Sequence, residues 1–104
     1  MKIITMCGSL KFEKEIKYNA EKLALEGNCI LNIIYPTREK EKYSKEEMIL
    51  LGAEHLKKIE LSNAIFVVNV NGYIGEAVSN EIEYARSKNK EVIYLENIAE
   101  NDID

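Results

Sequence analysis

The stretch from Ala64 to Ala85, AIFVVNVNGYIGEAVSNEIEYA, limits the fold more than any other part of the 104-residue chain. It opens with the most apolar run present, Ile65-Phe66-Val67-Val68, continued by Val70. A short β-branched and aromatic run bounded by turn residues predicts a buried strand. The chain then breaks at Asn71-Gly72 and again at Gly75, where glycine lets the backbone swing into a helix. Beyond the break, Ile74, Val78, Ile82 and Ala85 recur at helical spacing and form one apolar stripe. Parallel α/β proteins are built from such units of strand, glycine loop and helix. Their ligands bind at the loop, which lies at the carboxyl end of the strand.

The flanking sequence repeats the same alternation. Residues 2–7, KIITMC, predict a first strand, followed at once by Gly8-Ser9. A helix is expected from Phe12 to Glu26, with Phe12, Ile16, Ala20 and Leu23 buried and Gly27 just past its end. Residues 29–34 read as a second strand, stopped by Tyr35-Pro36-Thr37. Residues 38–47 are almost all polar and read as a solvated loop. A sharper reading makes them a lid that offers Arg38, Lys40 and Lys42 to an anionic ligand. Ser44 and Glu47 have capping-box spacing, so a second helix is predicted from Lys45 to Leu61. Met48, Gly52, His55, Leu56 and Ile59 share one of its faces. A third strand at 64–70, a third helix at 75–88 and a fourth strand at 91–95 follow. Residues 96–104 are acidic and predict a frayed tail.

This order, β-α-β-α-β-α-β, predicts a parallel sheet with helices on both faces. The simplest strand order is 2-1-3-4. The order then reverses between strands one and three, and the loops at Gly8-Ser9-Leu10 and Asn71 to Gly75 meet at that reversal. The length fits a single domain, residues 1–104, without internal repeats.

Composition narrows the function classes. A net charge of −4 argues against a nucleic-acid polymer as partner, while leaving room for a pocket that takes one nucleotide. No apolar run is long enough to span a bilayer and the N-terminus lacks a signal-peptide core, so a cytoplasmic protein without membrane contact is expected. Cys7 and Cys29 have no CxxC spacing, and with a single histidine no zinc set is expected. The two cysteines read as small apolar residues at strand ends. No cofactor motif is present: there is neither GxGxxG nor a P-loop.

Two features carry chemistry. Gly8-Ser9 allows close backbone approach, and the amides that follow with the serine hydroxyl suit a phosphate or carboxylate; Ser9 equally serves as a helix cap. The second feature is the set Glu76, Glu81 and Glu83. Glu76 and Glu83 fall opposite the apolar stripe, toward water, whereas Glu81 falls at its edge. A partly desolvated carboxylate there suits nucleophilic or general-base work, although by spacing alone a glutamate at this position is more often an ordinary flank residue. His55 lies on the apolar face of the second helix, a catalytic candidate or a hydrogen-bonded core residue. Tyr73 and Tyr84 bracket the loop and helix and are placed to stack on a base or to fill the core edge.

Cys7-Gly8-Ser9-Leu10, the apolar strand at 65–70 and Glu81-Ile82-Glu83-Tyr84-Ala85 together resemble the nucleoside 2-deoxyribosyltransferase family, including its deoxynucleoside 5′-monophosphate N-glycosidase branch. Lys90-Glu91-Val92-Ile93 stands where that family enters its last strand, and the likeness spans about residues 2–95. The resemblance implies a small flavodoxin-like, three-layer α/β fold. It implies that Glu81 attacks C1′ of a deoxyribose and displaces the base, and that Ser9 contacts the 5′ end of a nucleotide. His55 stands where the family has an aspartate that positions the nucleoside, Asn63 where an aspartate often ends the second helix, and Glu83 where glycine is common. On this reading Glu81 and His55 are catalytic. Gly8, Ser9, Leu10, Asn71, Gly72, Tyr73, Gly75, Ser79 and Tyr84 bind a nucleoside or nucleotide. No metal or other cofactor takes part, and a homodimer or higher homo-oligomer is expected. The alternatives are a nucleotide-binding module of the same fold without turnover, and a structural subunit of an oligomer.

Overall fold

The structure, a computed structural model, describes residues 1–97. Four strands form one parallel sheet: β1 (Ile3–Gly8), β2 (Cys29–Leu31), β3 (Ala64–Val68) and β4 (Glu91–Tyr94), in the spatial order β2-β1-β3-β4. Three α-helices connect them: α1 (Glu13–Leu25), α2 (Lys45–Leu61) and α3 (Glu76–Ser87). The expected α/β class and strand order are therefore present.

Period-two alternation along β1 and β3 divides the core into two layers. Ile4, Met6, Ala64, Phe66 and Val68 pack with Ile16 and Ala20 of α1 on one face. Cys7, Ile65 and Val67 pack with Ile59 of α2 and Val78, Ile82 and Ala85 of α3 on the other. All five residues of β3 are buried, which explains why its sequence is a continuous apolar run rather than an alternating one. Each fully buried isoleucine or valine contributes about 1.5–3 kcal/mol.

Polar contacts fix the ends. Buried Thr5 hydrogen-bonds to Ser62 and donates to the Lys58 carbonyl, which ties the C-terminus of α2 to the central strand. Asn63 accepts a hydrogen bond from the Ile3 N–H and donates its own N–H to the Ile3 carbonyl, and its carbonyl accepts from Glu91 N–H. It therefore aligns the starts of β1, β3 and β4. The Ser44–Glu47 capping box forms in both directions and starts α2 at Lys45, as its spacing predicts.

Several expected boundaries move. β2 ends at Leu31 rather than residue 34, because the Asn32 side chain takes up the Ile33 N–H and the Asn32 carbonyl accepts from Lys58. β3 stops at Val68 rather than residue 70. Buried Asn69 pairs through its side chain with both backbone groups of Glu96, and a 3-10 turn at Val70–Gly72 follows. Glu96 is thus held and not frayed; residues 98–104 of the expected tail lie outside the described residues. A 3-10 turn at Leu10–Phe12 precedes α1, which starts one residue later than expected.

Two glycines should respond oppositely to alanine. A Cβ at Gly8 would meet the Ile16 side chain at 3.1 Å and Val68 at 3.3 Å, whereas one at Gly52 would meet nothing within 4 Å. In chemical denaturation, Gly8→Ala is expected to destabilise the protein by about 1–3 kcal/mol. Gly52→Ala, inside α2, is expected to stabilise it by about 0.5–1 kcal/mol.

Candidate active site

The connection β1-α1-β2 covers one face of the sheet, whereas α2 and α3 cover the other, so the winding reverses between β1 and β3. Reversal leaves a crevice at the carboxyl ends of these two strands. A cleft of about 680 Å³ lies there. Gly8, Ser9 and Leu10 line it from the end of β1, and Tyr73, Gly75 and Glu76 from the end of β3. Gly52 and His55 face it from α2, Glu81 from α3, and Arg38 and Lys40 from the connection after β2. An adjoining hollow of about 550 Å³ shares Arg38, Tyr43 and Glu54 but includes neither His55 nor Glu81.

Three polar side chains from three elements meet at the floor of the cleft, His55 and Glu81 facing it and Cys7 buried beneath. His55 Nε2 lies 3.4 Å from Glu81 Oε1, and the two side chains are 13% and 22% exposed. The same Nε2 lies 3.6 Å from Cys7 Sγ, at the end of β1 and fully buried. Burial pushes the Cys7 thiol well above its ordinary range; the charge of Glu81 and a hydrogen bond to Glu81 raise it further. A thiol that keeps its proton is no nucleophile at neutral pH. The solvent-facing reactive group is the Glu81 carboxylate, held from one side by His55.

The 5′-side candidates meet the same space. Ser9 Oγ accepts weakly from the Lys11 N–H at 3.4 Å and caps only the short 3-10 turn, so its hydroxyl keeps capacity for a ligand. Tyr73 is half exposed at the rim, packed edge-on against Phe12 with Lys11 Nζ 3.3 Å from its ring centroid. Arg38 is tied to Glu47 at 3.3 Å and lies over the Tyr43 ring, while Lys42 is outside the cleft lining.

The structure does not bring every candidate to this cleft. Asn71 and Gly72 have φ of 55° and 77°, and the Asn71 N–H donates to the Glu96 carboxylate; both residues shape the turn. Ser79 is exposed and outside the lining, and Tyr84 donates to Glu60 on α2. Glu76, expected to face water only, is exposed but sits at the cleft rim, because side chains in the first turn of a helix lean toward its N-terminus. Glu83 is exposed, as its helical phase predicts.

Two features were missed in the sequence. Cys7 is more than the small apolar strand-end residue its sequence predicts: it joins His55 and Glu81, with one potential ligand atom of each within 4.8 Å of the others. Strand alternation was the available signal, since Thr5 and Cys7 must face the layer opposite to Ile4 and Met6. The other is Gly52, whose missing side chain leaves the α2 wall of the cleft open one turn before His55.

No protein-family model matches the sequence, and no curated protein matches it. Among solved structures, the fold is similar to that of a 2-deoxyribosyltransferase from the psychrotolerant bacterium Bacillus psychrosaccharolyticus, with a TM-score of 0.72 and 16% sequence identity. The superposition covers 93% of this chain and 77% of that enzyme. That enzyme is described as a biocatalyst for nucleoside synthesis. At this identity the likeness establishes the fold.

The electrostatics of the floor can be read through Cys7. With cysteine labelled at Cβ, carbon NMR should show Cys7 titrating above the ordinary thiol range, and Glu81→Gln should lower the midpoint by removing a nearby negative charge. The unfolded thiol loses its proton at lower pH than the folded one. Folding stability should therefore fall as pH rises from the ordinary thiol pKa toward the folded value, and Cys7→Ala should flatten that slope. An unchanged midpoint in Glu81→Gln would contradict the assigned contact.

Proposed function

We propose that the protein cleaves or transfers at the N-glycosidic bond of a deoxynucleoside or its 5′-monophosphate, with Glu81 as nucleophile. The observation that carries this reading is a partly buried carboxylate facing the same cleft as the Gly8-Ser9 turn, at the strand reversal of a 2-deoxyribosyltransferase fold.

The chemistry follows from the placement. A sugar lying between Ser9 and Glu81 presents C1′ to the carboxylate. A Glu81 oxygen forms a bond to C1′ as the bond from C1′ to the base nitrogen breaks, and the base leaves with the electron pair and takes a proton from solvent. Water, or the nitrogen of a second base, then bonds to C1′ as the bond from C1′ to the Glu81 oxygen breaks; the attacking group gives its proton to solvent and the carboxylate is regenerated. His55, donating from Nε2 to Oε1, acts as a positioning residue that fixes the carboxylate rotamer. Ser9 and the adjacent amides bind the 5′ end, with Lys40 and Arg38 as nearby positive charge, and Tyr73 stacks the base.

The protein also acts as a homo-oligomer on this reading, since α2 leaves Ile49 and Leu50 more than half exposed. Sedimentation should report more than one chain per particle at micromolar concentration, and Leu50→Lys should shift the population toward monomer.

Free base read by chromatography after incubation with deoxynucleosides and their monophosphates tests the activity. Glu81→Ala is expected to abolish base release with little change in thermal midpoint, and Glu83→Ala to retain it. Wild-type turnover in Glu81→Ala would end the nucleophile assignment. Tight monophosphate binding without base release in the wild type would favour a nucleotide-binding module instead. Ser9→Ala should reduce the preference for monophosphates over nucleosides by about 1 kcal/mol or more, the loss expected for a hydrogen bond to a charged group. Equal affinity for both ligands in the wild type would remove that role.

A further inference from the structure

The floor of the cleft has the composition and dimensions of a transition-metal site. A tetrahedral zinc ion with Zn–S of about 2.3 Å and Zn–N of about 2.0–2.1 Å holds sulfur and nitrogen about 3.6 Å apart, and its nitrogen and carboxylate oxygen about 3.3 Å apart. Cys7 Sγ and His55 Nε2 are 3.6 Å apart, and His55 Nε2 and Glu81 Oε1 are 3.4 Å apart. All three ligand atoms lie within 4.8 Å of one another, so one ion can sit among them. The three residues come from β1, α2 and α3, and the two helices are packed on the strand through Ile59, Val78 and Ile82. The ligands therefore sit on rigid elements and not on a loop.

We propose that Cys7, His55 and Glu81 bind a thiophilic divalent cation, with Zn²⁺ as the best match, leaving a fourth coordination position open to the cleft. Thiolate, imidazole and carboxylate together suit zinc and disfavour Mg²⁺ and Ca²⁺, which take oxygen ligands. Cys7 lies beneath the floor while His55 and Glu81 face the cleft, so the open position points toward the space where a substrate binds. Binding replaces the thiol proton: the S–H bond breaks, the sulfur donates its pair to the metal and the proton leaves to solvent. His55 contributes the Nε2 lone pair, with its proton on Nδ1.

Occupancy has a functional consequence that rests on the glycosyl-transfer reading. A Glu81 oxygen bound to the metal is no longer free to attack C1′, and His55 can no longer donate to it. The metal-bound form is then a shut-off state of the same site, relieved by chelation.

Cobalt is the probe, because its bond to a thiolate gives an intense charge-transfer band in the near ultraviolet. Titration of untagged protein carrying Cys29→Ser with Co²⁺ is expected to produce this band, and added Zn²⁺ should bleach it by displacement while Mg²⁺ and Ca²⁺ leave it unchanged. Loss of a group that merely orients a metal ligand costs about 10–100-fold in affinity, so Cys7→Ser and His55→Ala should each weaken binding by about a hundredfold or more. Circular dichroism establishes that each variant is folded, and His55→Ala, outside the buried core, serves if Cys7→Ser does not fold. A missing band at millimolar Co²⁺, or a band that persists in folded Cys7→Ser or His55→Ala, overturns the site. The readout is independent of catalysis, so an inactive protein that gives the band separates failure of the activity reading from failure of this one.

Discussion

The parallel pairing of β1 with β3, from Ile4 and Ala64 to Gly8 and Val68, is the constraint on which the remaining structure depends. It buries β3 completely and places the carboxyl ends of both strands side by side. It also fixes facing. Residues of one parity look toward α1, and those of the other parity, Cys7 among them, look toward α2 and α3. Close approach at the end of the ladder requires a residue without a Cβ, and Gly8 sits there against Ile16 and Val68. A larger residue would separate α1 from β3 at the point where the cleft begins.

The cleft inherits its chemistry from that arrangement. Two helices, α2 and α3, and the loop after β1 deliver groups to one crevice because the winding reverses there, so residues distant in sequence meet. The polar network at the opposite end, from Thr5 through Ser62 to the Lys58 carbonyl, holds the C-terminus of α2 against β1. It thereby sets the height of His55, one turn before Lys58. Glu81 reaches the same level from α3, through the packing of Val78 and Ile82. The Glu81 carboxylate lies beside a histidine and close to a buried thiol, which narrows the directions it can face.

The topology was legible because each strand and helix carries its own period, and a β-α alternation admits few arrangements. Strand ends were less legible. At Asn32 and Asn69, side-chain amides replace the ladder with local bonds, a substitution that apolar patterning does not register. In the site, the helical phase of Glu81 and the Gly8-Ser9 turn led to the cleft. Ser79 did not follow, since two residues amount to about 200° around a helix. Tyr84 lies about 4.5 Å further along α3, away from the strand ends, and found Glu60 instead. Asn71 and Gly72 lie outside the cleft lining, and their positive φ gives the turn its own reason for these residue types. The contact of Cys7 with His55 and Glu81 was hidden because it depends on three elements at once.

The central claim is that Glu81 forms a bond to the sugar, and mass spectrometry of the quenched reaction addresses it directly. Protein mixed with a deoxynucleoside 5′-monophosphate and stopped in acid within the first turnover should gain the mass of one deoxyribosyl phosphate, with the adduct mapping to the peptide that contains Glu81. Release of base with no adduct at any quench time, or an adduct on a residue other than Glu81, would contradict the account.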